Sequence, residues 1–234
     1  DLTVLVVTLQ ALKMHGGVAQ EDIKKPNIEG MKNGYWNLDK HVKNLQSFGQ
    51  TVVIAFNKFA TDTDEEIEVL RQHCEEMGCG FAVNNAFAEG GKGAVELANL
   101  VVKTIDEHPS APLYFAYKDD EPVEKKIEDV AFNLYGAGSV TMSDSAKAMI
   151  EEIKKLGAEK FPICIAKTQY SFSTDAKAYG PTEGFELHVR DITVNMGAEM
   201  IVVIAGPIMR MPGLPKSPQA ERIDVVNGEI VGLS

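Results

Sequence analysis

Residues 84–98 read NNAFAEGGKGAVELA, and how their glycines are read decides what kind of sheet the chain builds around them. A Walker-type phosphate loop needs Gly, four residues, Gly-Lys and then Ser or Thr, so that turned amides face phosphate and the hydroxyl reaches magnesium. Here Gly91-Lys92 is followed by Gly93, and the position of the upstream glycine is held by Ala86, so the pattern fails at both ends. What remains is a short apolar run, Gly80–Asn84, a turn carrying Phe87, and a helical pattern from Gly93 whose first amides favour an anion. Strand, glycine-rich turn and helix form half of a βαβ unit. Two uses fit that turn: a plain flexible connection, or a ligand-facing loop at the carboxyl end of a strand.

Working outward, the runs Leu2–Leu9, Thr51–Phe56, Gly80–Asn84, Leu113–Ala116, Pro162–Ala166 and Met200–Ala205 are short, apolar and bounded by turn residues, as strands buried on both faces are. Helical period is predicted over Leu38–Phe48, Asp64–Met77, Gly93–Glu107, Val123–Leu134, Ser143–Leu156 and Thr182–Met196. The alternation predicts an α/β fold of mostly parallel sheets covered by helices. Punctuation agrees. Asn37 can cap the helix from Leu38, Thr63 with Glu66 forms a capping-box pattern, Ser143 gives a plain cap, and Gly78 and Gly157 sit where left-handed C-terminal residues go. Residues 8–35 read as one long connection, a second break falls near Tyr135–Gly138, and the prolines of GPIMRMPGLPKSP (206–218) make an extended segment.

Composition bounds the function. A net charge of −11 over 234 residues argues against nucleic acid as partner, since phosphate backbones need clustered Lys and Arg. Apolar runs stop far short of the roughly 20 residues of a membrane helix. Cys74, Cys79 and Cys164 fit neither a disulfide framework nor a zinc site, so reduced thiols in a cytoplasmic protein are the expectation, with no metal site. The strand pattern starts almost at Asp1, which is expected of a fragment of a longer chain.

Three places could carry chemistry. FNKFATDT (56–63) and the turn after Asn84 both follow a strand, and both carry an aromatic, Phe59 and Phe87, which together could wall a slot for a flat heterocycle. Each Phe taken alone also fits core filling. His15-Gly16-Gly17 after the first strand could bind phosphate or carboxylate, or be a simple turn. Lys167-Thr168-Gln169-Tyr170-Ser171 puts polar donors after another strand. No Ser-His-Asp order or HExxH motif is present.

ALKMHGG (11–17), NLDKHVKNLQSFG (37–49), FATDT (59–63), AEGGKGAVELA (88–98), IAKTQYSFSTDA (165–176) and MPGLPKSPQAERIDV (211–225), in this order, resemble the formate–tetrahydrofolate ligases, also called 10-formyltetrahydrofolate synthetases. The resemblance runs over essentially the whole chain. It implies an enzyme of one-carbon metabolism that joins formate to tetrahydrofolate with ATP and Mg²⁺ through formyl phosphate, with a monovalent cation possible and a homotetramer expected. It further implies that this chain is the C-terminal portion: residues 1–36 the tail of a middle domain, 37–134 a segment completing the nucleotide- and folate-binding domain, and 135–234 a small C-terminal α/β domain. Catalytic and ATP-binding residues would then lie upstream, none of them in this chain. Carried over by position, the folate pocket is lined by Phe59, Ala60, Val83 and Phe87. Two of these depart from the family pattern: Ala60 stands where Pro is usual, and Phe87 where Trp is frequent, which keeps a stacking face but loses the indole N–H. The rival reading is a non-catalytic α/β module without its own ligand. A self-sufficient nucleotide hydrolase built on GGKG is disfavoured by the failed motif.

Overall fold

In the computed structural model, which describes residues 1–208 and 216–232, two sheets are built in sequence. The first is all parallel, in the order β1 (Thr3–Val7), β2 (Val52–Asn57), β3 (Gly80–Asn84). Pairing runs Thr3↔Val52 to Val7↔Phe56 and Val53↔Gly80 to Asn57↔Asn84, so the strands end level and all their carboxyl ends open on one rim. β2 is central, and every residue from Val52 to Phe56 is buried. Val52, Ile54 and Phe56 face a core with α1 (Leu9–His15), α2 (Ile28–Asn33), α3 (Tyr35–Ser47) and α4 (Asp64–Glu76). Val53 and Ala55, one residue out of step, point to the opposite face, where a short α5 (Ala86–Glu89) and a 3₁₀ turn (Gly90–Ala94) lead into α6 (Val95–Glu107), which packs on β3 and β2.

Residues 8–35 are not an open connection. Thr8 caps α1 by accepting the Ala11 N–H at 3.1 Å, and Asn27 caps α2 by accepting the Gly30 N–H at 2.8 Å. The two helices cross where a Cβ on Gly16 would stand 1.7 Å from the Gly30 carbonyl oxygen. Only glycine lets the backbones approach that far. Helix α3 opens at Tyr35 with Gly34 as its cap residue, so Asn37 lies inside the first turn rather than capping it.

The second sheet is mixed, in the order β4 (Ser139–Met142), β6 (Glu186–Asn195), β7 (Met200–Ala205), β5 (Ile163–Ala166). β4–β6 and β7–β5 are parallel and β6–β7 antiparallel, with a bulge between Val189 and Asp191. Its core takes Val123 and Ile127 from α7 (Val123–Asp129), Ala131 from the π turn that continues it (Val130–Tyr135), and Ala146, Ile150 and Ile153 from α8 (Asp144–Leu156). β8 (Asp224–Val226) and β9 (Glu229–Val231) form a separate hairpin.

Two predicted elements are corrected. Thr182–Met196 is not a helix: after Gly184, at φ +70°, residues 186–195 form β6, with Leu187, Val189 and Ile192 buried on one face. Leu113–Ala116 is not a strand: it has no pairing partner, and Leu113, Tyr114 and Phe115 are exposed between Pro112 and the acidic turn at Asp119. Most of GPIMRMPGLPKSP, including Pro212 and Pro215, lies outside the described residues. No helix among the described residues is long and apolar enough to cross a membrane.

Candidate functional site

The rim at the carboxyl ends of β2 and β3 is where the two predicted loops meet. The strands stay in register to their last pair: Asn84 Nδ2–H donates to Asn57 Oδ1 at 2.7 Å, and the Lys58 N–H donates to the Asn84 carbonyl at 3.1 Å. Residues 58–63 and 85–94 therefore leave the sheet side by side. Phe59 is 43% exposed, Ala60 is exposed, Val83 is half-buried below them, and Phe87 is fully exposed. Among the described residues the ring–ring contacts involve neither Phe59 nor Phe87, and the Phe87 ring stands clear of its neighbours while Phe59 exposes part of its surface.

The Phe59 loop is anchored from beneath. The Phe59 N–H donates to Asp62 Oδ2 at 2.8 Å, closing the turn, and Thr63 and Glu66 make the full capping box at the head of α4. Glu66 does more than cap. One of its oxygens accepts from Lys13 Nζ at 2.7 Å and from the Asn27 N–H at 2.8 Å; the other accepts from the Thr63 hydroxyl at 2.8 Å. Lys13 also donates to the Lys25 carbonyl at 2.8 Å, and both charged side chains are buried. Burial by itself raises the Glu66 carboxyl, but the hydrogen bonds from Lys13, Asn27 and Thr63 outweigh it and hold the group below its ordinary value. Asp62, nearer the surface, goes the other way: burial pushes it up despite the Phe59 amide.

The Phe87 turn is held by a few local bonds: Asn85 Nδ2–H donates to Glu89 Oε1 at 2.7 Å and the Ala86 N–H to Asn84 Oδ1 at 3.3 Å. α5 has four residues and no side-chain cap, Gly90 takes φ +59° and ψ −145°, and the Asn85 N–H donates to the Gly93 carbonyl at 2.9 Å. Gly93 sits so close that a Cβ there would meet the Asn85 oxygen at 2.4 Å. Under this turn lies an open pocket of about 260 Å³ bounded by Lys58, Val83, Asn85 and Lys92 and by two carboxylates, Glu89 and Glu96. The two carboxylates share this pocket with two lysines, and a carboxylate can accept from the N–H edge of a heterocycle. Among the described residues no three His, Cys, Asp or Glu side chains converge as a metal site requires.

The other two predicted places come together around a second pocket. His15 at the end of α1, Asn37 and His41 on α3, Tyr135, and residues 167–172 after β5 enclose about 170 Å³. His41, Tyr135 and Phe172 had no signal in the sequence, because they reach this pocket only when α3 packs beside the segment after β5.

A family model described as "Formate--tetrahydrofolate ligase" matches residues 1–234. Proteins of that name from Bacteroides fragilis and Bacteroides thetaiotaomicron are 63% and 62% identical over 233 residues, which is 100% of this chain and 42% of each relative. The one from Psychrobacter sp. is 46% identical over 237 residues, again 42% of its own length. The chain thus spans about two-fifths of the curated relatives it matches.

Proposed function

We propose a folate-binding role for this chain, which belongs to the formate–tetrahydrofolate ligase family. The observation that carries the reading is the placement of two exposed aromatics, Phe59 and Phe87, on the loops that leave adjacent paired strand ends beside half-buried Val83. The pterin ring of tetrahydrofolate lies between the two aromatics, where stacking adds to the gain from area burial. Ala60 and Val83 fill the slot floor, and Glu89 or Glu96 accepts from the amino and ring N–H groups. The slot holds and orients the folate amine for attack on an activated formyl group and keeps water from it.

In the complete protein the reaction is ATP-dependent ligation of formate to tetrahydrofolate. The glycine turn of this chain lacks the first glycine and the hydroxyl of a phosphate loop, so no step through ATP or Mg²⁺ is assigned to its residues. Of the three segments 1–36, 37–134 and 135–234 expected in the longer protein, the first two are better joined, since β1 pairs with β2 and Leu9, Leu12 and Met31 share its core. The two cores favour moving the last boundary back into residues 108–122, because Val123, Ile127 and Ala131 pack with the second sheet.

Calorimetric titration with tetrahydrofolate tests the slot. Saturable heat that Phe87→Ala removes and Lys154→Ala leaves intact is the expected result; heat unaffected by Phe87→Ala overturns the reading in favour of a module with no folate site. A chain of only these residues is expected to make no 10-formyltetrahydrofolate from formate and ATP, and detectable formation would refute that.

A further inference from the structure

The chain carries 34 Asp and Glu against 23 Lys and Arg, yet among the described residues no carboxylate lines the pocket of about 170 Å³ between α1, α3 and residues 167–172. Its ionisable groups are His15, His41, Lys167, Tyr135 and Tyr170. Lys167 is the centre. Its ammonium donates to the Thr168 and Ser171 carbonyls and lies 4.7 Å from the centroid of the Tyr135 ring, and among the described residues it has no carboxylate partner. A cation held by carbonyls and a ring face is positioned but not neutralised.

The histidines add donors. The ring of His41 rests against Phe172 at 4.6 Å, and His15 meets Tyr179 edge-on at 5.8 Å. His15 Nδ1 is buried with no hydrogen-bond partner. An unpaired buried lone pair is cheaper than an unpaired buried N–H, which favours the neutral ring with its proton on Nε2, where it is a donor to offer a ligand. Asn37, Thr168 and Gln169 complete the lining with neutral polar groups. We propose that this pocket binds a single oxyanion group, a carboxylate or a phosphoryl, between Lys167 and the two histidines.

The electrostatics of the empty pocket agree. Burial lowers Lys167 to about 8 and lowers His15; burial, then the positive charges of His15 and Lys167, lower His41. An anion reverses each of these effects, because it favours every protonated form at once. Binding is therefore coupled to proton uptake and tightens as pH falls from about 8 toward 6. The groups that face the site from each element are His15 on α1, Asn37 and His41 on α3, Tyr135 after α7, and residues 167–172 after β5.

The test is a titration of the protein at its full encoded length, with imidazole resonances of His15 and His41 followed by NMR at constant ionic strength. Inorganic phosphate and acetate are the probes, and chloride is the control. Saturable shifts of both histidines, with their titration midpoints moved upward, are expected for at least one probe. Response to phosphate alone assigns a phosphoryl ligand, to acetate alone a carboxylate, and to both a site for either group. Lys167→Met removes the response and Lys154→Met, on an exposed face, keeps it. If Lys167→Met fails to fold, Thr168→Val and His41→Gln each weaken binding roughly tenfold, the loss of one charge-assisted hydrogen bond. Identical shifts with chloride, or wild-type binding by Lys167→Met or by both substitute variants, overturn the proposal.

Discussion

Phe59 stands on a loop tied to a capped helix start, whereas Phe87, 28 positions later and one strand over, stands on a four-residue helix without a side-chain cap and with its ring wholly in solvent. Beneath Phe59 the Asp62 turn, the capping box and the buried Lys13–Glu66 pair tie the loop to α1, α2 and α4 at once. Beneath Phe87 there are three glycines at 90, 91 and 93, hydrogen bonds that stay within residues 84–93, and an open pocket. The difference teaches that, in the slot proposed above, one wall would be built before any ligand arrives and the other would take its final position against it. A rigid wall lowers the ordering cost of binding, and a loose one admits a ring that two fixed walls would exclude.

That contrast can be broken hardest at Glu66. Replacing Lys13 by Met leaves a buried carboxylate without its cation, and a loss of about 3–5 kcal/mol of stability is expected in chemical denaturation. Fast amide exchange through residues 58–63 should accompany it. Lys13→Met combined with Glu66→Leu should recover much of that loss, since an apolar pair leaves no charge behind. The same pair gives a pH signature. The folded carboxyl of Glu66 lies below its unfolded value of about 4.3, so its contribution is fully present above that pH and disappears as pH falls through the lower, folded value. The stability gap between wild type and Glu66→Gln should therefore close on acidification, and a gap that widened would refute the assignment.

On the loose side the effects are smaller. Gly93→Ala forces a Cβ to 2.4 Å from the Asn85 oxygen, and the turn must shift at a cost of about 1–3 kcal/mol. Folate affinity should fall more than stability, because the displaced residues carry Phe87. Gly90→Ala meets no neighbour but keeps a backbone conformation that side chains avoid, and about 1 kcal/mol is expected in a thermal melt. Smallest is Phe87→Ala, whose stability should stay within about 0.5 kcal/mol of wild type, the ring being fully exposed. Phe59→Ala should cost more, since that ring is over half covered. Equal losses for the two would erase the contrast.

Much of the first sheet was legible in the sequence because its local signals agree: apolar runs flank a capping box that fits only one helix start, and Gly78 stops that helix at φ +73°. The strand-end loops followed, and with them Phe59 and Phe87. The second sheet was harder. ELHVRDITVN alternates buried and exposed residues, but Asp191 at the bulge blurs the period of two into something helical. The run LYFA has the apolar content of a strand, but Leu113, Tyr114 and Phe115 are exposed and no strand forms there, because apolar content says nothing of a pairing partner. Helices α1 and α2 were missed since glycines at 16, 30 and 34 read as loop, whereas the structure uses them where chains nearly touch. The pocket around Lys167 needed three distant segments, and nothing local announces such a meeting.

Cysteine placement gives the molecule a practical property. Burial raises the thiols of Cys74, to about 12, and of Cys79, and both are enclosed in the first core, whereas Cys164 is exposed on β5, three residues before Lys167. A thiolate is the reactive form, so an alkylating dye at neutral pH should settle on Cys164 alone. Without any engineering, the chain carries a single handle for a fluorophore, placed where emission can report an anion arriving among the histidines.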